Sequence, residues 1–423
     1  MGRTLRTLSI LLSLLVPVHS TRSPDCGGIL TPLGLSYFAE VSKPHAETVL
    51  RQDLLAPAVP DLLVGSTKPS RTQINSVKVT ELSLSLVPDS GLRLSVDVDL
   101  VMGLHPVTRL SIRADLHVEM NPEGNLEVVT SACKPTMEEV QSTEERERSI
   151  LWFSLLWDLV SKLLLSPNEE LISLTAQFPV SPSCQLQYLP LAAPVFSEQG
   201  ITISLQTTFQ VAGMAIPLPV SPVPFNMPEL ASSSPAHLTL AFSEHFFSSL
   251  FFALEMAGAF NMTILSPLTT ATVAPKITQM GSLFPEDLPV VLQAVFRSST
   301  RVVLEEGKAA LKLLLTVHVG AGSPAFQSFL SVNVDMSAGL LLSVTNTRMI
   351  ISAPDALLEE LFLPTIRTEV PAQINVVLSE GVVLPHISSF TYTNINVVIH
   401  KDYVLVPCNL QLQERTGAQT TVG

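Results

Sequence analysis

The feature that most constrains this chain is a period of two. Apolar and polar residues alternate from Val77 to Leu86 (VKVTELSLSL), from Leu92 to Leu100 (LRLSVDVDL) and from Leu110 to Met120 (LSIRADLHVEM). Side chains on a strand point to opposite faces in turn, so each segment reads as a half-buried antiparallel strand. Turn chemistry separates them at Pro88-Asp-Ser-Gly91 and Asn121-Pro-Glu-Gly124. A meander with one apolar face must cover something apolar.

Helical patterns supply that partner. Leu35, Phe38, Ala39, Ala46, Val49 and Leu50 recur at helical spacing within residues 31–55, with Pro44 placed to kink or divide the helix. After a charged loop at residues 138–148, Ile150 to Val160 reads as a strongly apolar helix holding both tryptophans. A further strand pair is expected around Ile201 to Phe209. Five prolines between Ile216 and Pro228 mark an extended, semi-rigid connector.

The second half repeats this order. A helix beginning near His245 precedes strands at residues 301–304, 310–319, 329–336 and 340–347. A helical segment at Pro354 to Leu363, the run Gly381-Val-Val-Leu-Pro385 and a last strand pair ending near Val406 complete it. The chain therefore divides into a leader (1–20), a first domain (21–215), a Pro-rich linker (216–235), a second domain (236–410) and a polar tail (411–423). Its 423 residues exceed what one core ordinarily holds.

Composition sets the compartment. Arg3 and Arg6 precede an apolar run from Leu8 to Val18, and small residues end at Ser20, the pattern of a cleaved secretory signal peptide. Losing those two arginines takes the formal charge from −13 to −15. So acidic a chain repels phosphate backbones, so no nucleic-acid partner is expected. Cys26, Cys133, Cys184 and Cys408 in a secreted chain read as disulfides with three possible connectivities.

Catalytic signatures are missing. There is no G-x-S-x-G elbow, no H-E-x-x-H and no P-loop. His45-Ala-Glu47 lacks the cysteine pair of a zinc deaminase and reads as helix surface. Asp97 and Asp99 share a strand face without the glycine and glutamate of a calcium loop. The nine histidines offer no metal-ligand spacing. No enzyme activity, cofactor or metal is expected. Asn261-Met-Thr263 is the one N-x-S/T triplet, a glycosylation acceptor in a secreted chain or an unused triplet at a buried strand start.

The stretch HFFSSLFFALEMAGAFNMTI, residues 245–264, is the greasiest of the second half. Glu244 and Glu255 bracket too short an apolar run for a membrane span. On a helix, Phe247, Leu250, Phe251, Leu254 and Ala257 form one stripe, and core packing is the reading that spacing alone favours.

Leu240 to Phe260 resembles the second-domain helix of the bactericidal/permeability-increasing protein (BPI/LBP/PLUNC) family. The Pro-rich connector resembles that family's interdomain linker, and Val377-Leu-Ser-Glu-Gly-Val-Val-Leu-Pro385 is similar to its late G-x-x-L-P element. Cys26-Gly-Gly-Ile-Leu-Thr-Pro-Leu-Gly-Leu-Ser-Tyr-Phe38 and Cys184-Gln-Leu-Gln-Tyr-Leu-Pro-Leu-Ala-Ala-Pro194 resemble an egg-white member. The resemblance spans nearly the whole chain. It implies an α+β boomerang: two elongated barrels, each a helix against a twisted antiparallel sheet, joined by a central sheet. Apolar pockets between helix and sheet would take acyl chains of phospholipid-like or bacterial surface lipids, without stable membrane insertion. Phe247, Leu250, Phe251 and Leu254 then become pocket wall. The implied role is lipid binding in innate, antibacterial defence in an extracellular fluid such as egg white. The alternative is a bulk structural protein whose pockets its own side chains fill.

The chain departs from that family pattern in three ways. Cys133 matches the sheet cysteine of the usual disulfide, but residues 150–165 contain no cysteine, leaving Cys184 as the implied partner. The strands between Val77 and Met120 offer only Lys78, Arg93, Arg109 and Arg113, too few for charge-driven endotoxin binding. The segment from Arg348 to Leu357 is short, as if a hairpin were missing, which predicts an exposed edge or a shrunken pocket.

Overall fold

The structure is a computed structural model. It describes residues 23–55, 74–102, 107–137, 160, 162–164, 176–216, 225–229, 235–277, 280–298, 300–322, 325–353, 363–386 and 389–413. The expected leader and the tryptophan-bearing helix lie outside these, apart from Val160, which is fully buried.

The first half opens with β1 (Cys26–Leu30), which runs into α1 (Pro32–Leu55). Leu35, Ala39, Ser42, Ala46 and Leu50 form its buried stripe. Pro44 sits inside the helix without ending it. The meander follows as β2 (Ile74–Val87), β3 (Gly91–Met102), β4 (Thr108–Met120) and β5 (Leu126–Met137), paired antiparallel in that order. The alternation places Leu94, Val96, Val98 and Leu100 of β3 and Leu110, Ile112 and Leu116 of β4 inside. The strand β5 continues the meander beyond the three expected strands.

One detail of β2 departs from simple alternation. Val77 and Val79 are buried, then Leu82 and Leu84, so the inward phase moves from odd to even positions. The β2–β3 register shifts between Val79 and Glu81, where an extra residue forms a bulge. Bulges sharpen the local twist, which curls this sheet around α1.

A central sheet collects strands from both halves. The first half adds β6 (Gln177–Ser181), β7 (Cys184–Pro190), β8 (Val195–Ser197), β9 (Gly200–Val211) and β10 (Met214–Ala215). The second opens with β11 (Leu238–Ser243), and β1 lies between β9 and β11, antiparallel to both. Residues 225–229 of the expected connector lie against this sheet: Met227 Sδ would be 2.8 Å from a Cβ at Gly27.

From β11 the chain enters α2 (Glu244–Met256), capped by the Ser243 hydroxyl, which accepts the Phe246 N–H at 3.3 Å. A second sheet follows: β12 (Met262–Thr269), β13 (Pro289–Phe296), β14 (Arg301–Glu305), β15 (Lys308–Ala321), β16 (Gln327–Thr345) and β17 (Arg348–Ser352). The segments expected as separate strands at 329–336 and 340–347 are one strand, because Gly339 pairs with Ala310 in an unbroken ladder. Among the described residues a further long helix is α3 (Leu363–Val377); the helical segment expected at 354–363 lies outside the described residues except for Leu363, where α3 begins. Its β-branched residues and Pro371 hid it from helical pattern reading. β18 (Val382–Val383) closes this sheet; β19 (Phe390–Thr393), β20 (Val398–His400) and β21 (Tyr403–Leu412) return to the central one. The result is two half-barrel antiparallel sheets, each holding a helix, on either side of a shared sheet.

The two long helices are pinned alike. Glu47 of α1 accepts the Val79 N–H of edge strand β2 at 3.3 Å. Glu244 of α2 accepts the Leu304 N–H of β14 at 2.9 Å, and Ser248 accepts that of Val302 at 3.1 Å. In each half a helix side chain satisfies an edge-strand donor. In the second sheet, β16 pairs with β15 over Gln327–Leu340 and with β17 only over Leu341–Thr345. Among the described residues, no strand covers the other edge of residues 327–340, in keeping with the short segment after Arg348.

Candidate functional site

The phenylalanine stripe of α2 does not line an opening. Phe247, Leu250, Phe251 and Leu254 are each 0% exposed. Phe251 stacks on Phe260 with centroids 6.1 Å apart, and Phe246 meets Phe247 edge to face at 5.2 Å. These residues fill the second core themselves.

An apolar cavity of about 160 Å³ opens instead between the first half-barrel and the central sheet. Its floor is β1, β9 and β11. Gly28 lies directly between Ile203 on β9 and Leu240 on β11, and Leu30 between Ile201 and Leu238. A strand residue without a side chain, flanked by two branched ones, leaves a hollow in the sheet surface. The roof comes from Leu35 and Phe38 of α1 and from Leu84, Leu92, Val118 and Val128 of the meander. Pro385, His386, Tyr392 and Leu410 of the second half close one end. Residues 28 to 410 thus meet in one site, and no local run of sequence announces it. The signal that could have found it is the pair Gly27-Gly28 inside a strand.

The cavity makes little polar demand. Tyr392 donates its hydroxyl to the Pro385 carbonyl, and burial pushes its phenol well above the usual range. His386 Nδ1 lies 3.0 Å from the Leu384 carbonyl oxygen, and its ring packs on Phe178 at 5.6 Å. The other wall residues are hydrocarbon or glycine, so the site suits an alkyl chain and offers no group to activate a substrate.

A second, more polar cavity of about 540 Å³ lies where the β6–β7 turn meets the carboxyl ends of α2 and α3, lined by Ser181, Ser183, Ala257, Val377 and Glu380 among others.

The remaining expected residues are placed as follows. All four cysteines carry free thiols. Cys133, on β5, packs against the first core, and Cys184, on β7, belongs to the other core, so the bridge implied between them is not formed. Asn261 is exposed at the start of β12, not buried. Of the four basic residues expected on β2–β4, two are neutralised on the sheet surface, Arg93 by Asp115 at 2.8 Å and Arg109 by Asp99 at 3.4 Å, and β5 adds Lys134. His45 Nε2 lies 3.0 Å from the Lys162 carbonyl oxygen, so the His45–Glu47 pair serves packing. Among the described residues no group of three His, Cys, Asp or Glu could share a metal, and no helix is long and apolar enough to cross a membrane.

Two half-barrels around a shared sheet, with an apolar cavity beside that sheet, define a class. The chain belongs to the BPI/LBP/PLUNC family, a family of lipid-binding, innate-defence type. Within it the chain is 61% identical to protein TENP of Gallus gallus, over 96% of this chain and 99% of that one. It is 24% identical to BPI fold-containing family B member 2 of Homo sapiens, over 96% and 98% of the two chains. The crystal structure of lipopolysaccharide binding protein superposes with a TM-score of 0.56 at 17% identity, covering 92% of this chain and 99% of that one. No family model matches the chain.

Proposed function

We propose that this is a secreted, non-enzymatic protein that holds the acyl chain of a lipid in the cavity beside Gly28, with a role in innate defence of an extracellular fluid. The observation that carries the reading is a hollow in a buried sheet whose walls are hydrocarbon and whose tyrosine is already satisfied. Each methylene moved there from water contributes about 0.8 kcal/mol. A cavity of this size compares with one that accepts a guest as large as benzene, at about 150 Å³. It seats a short stretch of alkyl chain, and a longer chain requires the half-barrel to open. The basic residues of the first sheet are few and partly paired, so recognition rests on the tail rather than on phosphate charge.

The test is native mass spectrometry and organic extraction of the protein purified from its source. Co-purifying lipid, or uptake of a fluorescent phospholipid, is expected. A protein that carries no lipid and takes none up is instead the bulk structural protein with self-filled cores, the reading that the packed phenylalanines of α2 favour.

A further inference from the structure

We propose that Arg367, on α3, anchors a second ligand site, one that takes the oxyanion of a carboxylate or phosphate. Arg367 is only 8% exposed, and its Nε is shut off from solvent with no hydrogen-bond acceptor. It takes part in none of the ion pairs found among the described residues. The other described arginines are placed differently. Arg51, Arg93, Arg109 and Arg297 each pair with a carboxylate at the surface, Arg348 donates to the Glu380 carbonyl, and Arg113 and Arg301 are exposed to water. Arg367 is the one buried arginine among the described residues.

A guanidinium cannot escape this position by losing its proton, as a buried lysine or histidine can. A buried N–H with no acceptor is costly, more so on a charged group, so Nε calls for an acceptor, best an anionic one. Among the described residues no carboxylate of α3 pairs with it. Glu369 is two residues on and faces another way. The planar fork of the guanidinium matches the two oxygens of a carboxylate or phosphate. Ile366, Val370 and Ile374 of the same helix are buried around it, so an oxyanion at the head of an alkyl tail fits the surroundings. The site stands in the second half-barrel and does not depend on the cavity beside Gly28.

The experiment follows thermal unfolding of the full chain in a zwitterionic buffer, with inorganic phosphate, decanoate or, as the uncharged control, decanol. Wild type is compared with Arg367→Met and Arg367→Lys. Phosphate or decanoate is expected to raise the wild-type Tm by several degrees beyond any effect of decanol. Arg367→Lys keeps part of that rise and Arg367→Met none, while Arg367→Met without added anion is at least as stable as wild type. A rise with phosphate alone identifies a free anion, and a rise with decanoate alone identifies a lipid headgroup; both support the site. Should Arg367→Met not fold, Arg367→Gln takes its place. Wild type unmoved by either anion, or an equal rise in Arg367→Met, overturns the proposal. So does an equal loss of Tm, without anion, in Arg367→Met and in the triple variant Asp355→Asn, Glu359→Gln, Glu360→Gln, which places the partner within the chain. A filler at Gly28 leaves the anion-dependent rise intact, so this site and the acyl cavity fail separately.

Discussion

The ring of Tyr37, on the first helix, stacks on that of His237, at the start of the second half, with centroids 4.8 Å apart and planes 25° apart. The Tyr37 hydroxyl accepts the Leu412 N–H at 3.1 Å, and His237 Nδ1 accepts that of Leu410 at 3.2 Å. Beside them Thr31 donates its hydroxyl to the Ala236 carbonyl at 2.7 Å and accepts the Gly34 N–H at 3.2 Å. The start of α1 is thereby locked to both ends of the second half, at the rim of the cavity.

That lock predicts an intolerant glycine. A Cβ at Gly34 would lie 2.2 Å from the His237 carbonyl oxygen, a backbone atom that no side-chain rotation moves aside. Gly34→Ala is expected to cost about 1–3 kcal/mol, as overpacking does. The measurement is the urea midpoint, and an unchanged midpoint refutes the lock.

One buried and one half-buried group predict opposite pH dependences. Asp25 accepts both the N–H and the hydroxyl of Thr207 at 2.9 Å, yet burial pushes its carboxyl from 3.8 up to about 6. Between those values the folded chain holds the proton more tightly, so this contribution to stability falls as pH rises from about 4 to 6. Asp25→Asn keeps an acceptor for Thr207. Relative to wild type it should gain stability across that window, up to about 3 kcal/mol, and hold the gain above it. Burial lowers His237 below its usual 6.5, so its contribution is present above that value and is lost as pH falls through it. His237→Gln should flatten that loss. Stability–pH curves by chemical denaturation check both, and curves parallel to wild type contradict them.

The stripe of α2 predicts a separation of stability from binding. Phe251→Ala is expected to cost about 3–5 kcal/mol, the usual loss for a fully buried phenylalanine. Lipid uptake per folded molecule should not change. Titrating a fluorescent phospholipid below the unfolding midpoint measures this, and a lost uptake with an intact Tm returns the stripe to the pocket wall.

Much of this fold was legible because its signals are local. Alternation exposed the first meander, and helical spacing exposed α1 and α2. The bulge was missed, since the run from Val77 to Leu86 reads as plain alternation. Thr80 and Glu81 are adjacent polar residues between Val79 and Leu82, and that extra step is where the inward phase changes. The misses are also physical. Ser337-Ala-Gly339 looks like a turn, but a sheet edge tolerates it when the partner strand continues. The candidate site was hidden because its walls come from both ends of the chain. A greasy helix is conspicuous in sequence, whereas a hollow is made by what Gly28 lacks.

Exposure of Asn261 predicts a glycan. The triplet residues Asn261 and Thr263 both face solvent. Protein recovered from a secretory host should lose mass on treatment with an amidase that releases N-glycans. Asn261→Gln should match the treated protein in mass; a wild type whose mass the amidase does not alter contradicts the assignment.

The central claim is that an acyl chain occupies the hollow at Gly28. Gly28 has ordinary strand geometry, and the one tight contact of a Cβ there would be the flexible end of Leu240, at 3.1 Å, with Leu238 and the Thr239 carbonyl at ordinary contact distance. Gly28→Val therefore fills the hollow with a residue that strands accept. Native mass spectrometry of wild type and this variant, incubated with the same phospholipid, tests the claim most directly. Adducts on wild type and none on a Gly28→Val protein of unchanged or higher Tm are the predicted result. Equal adducts on both would place the lipid elsewhere and contradict it.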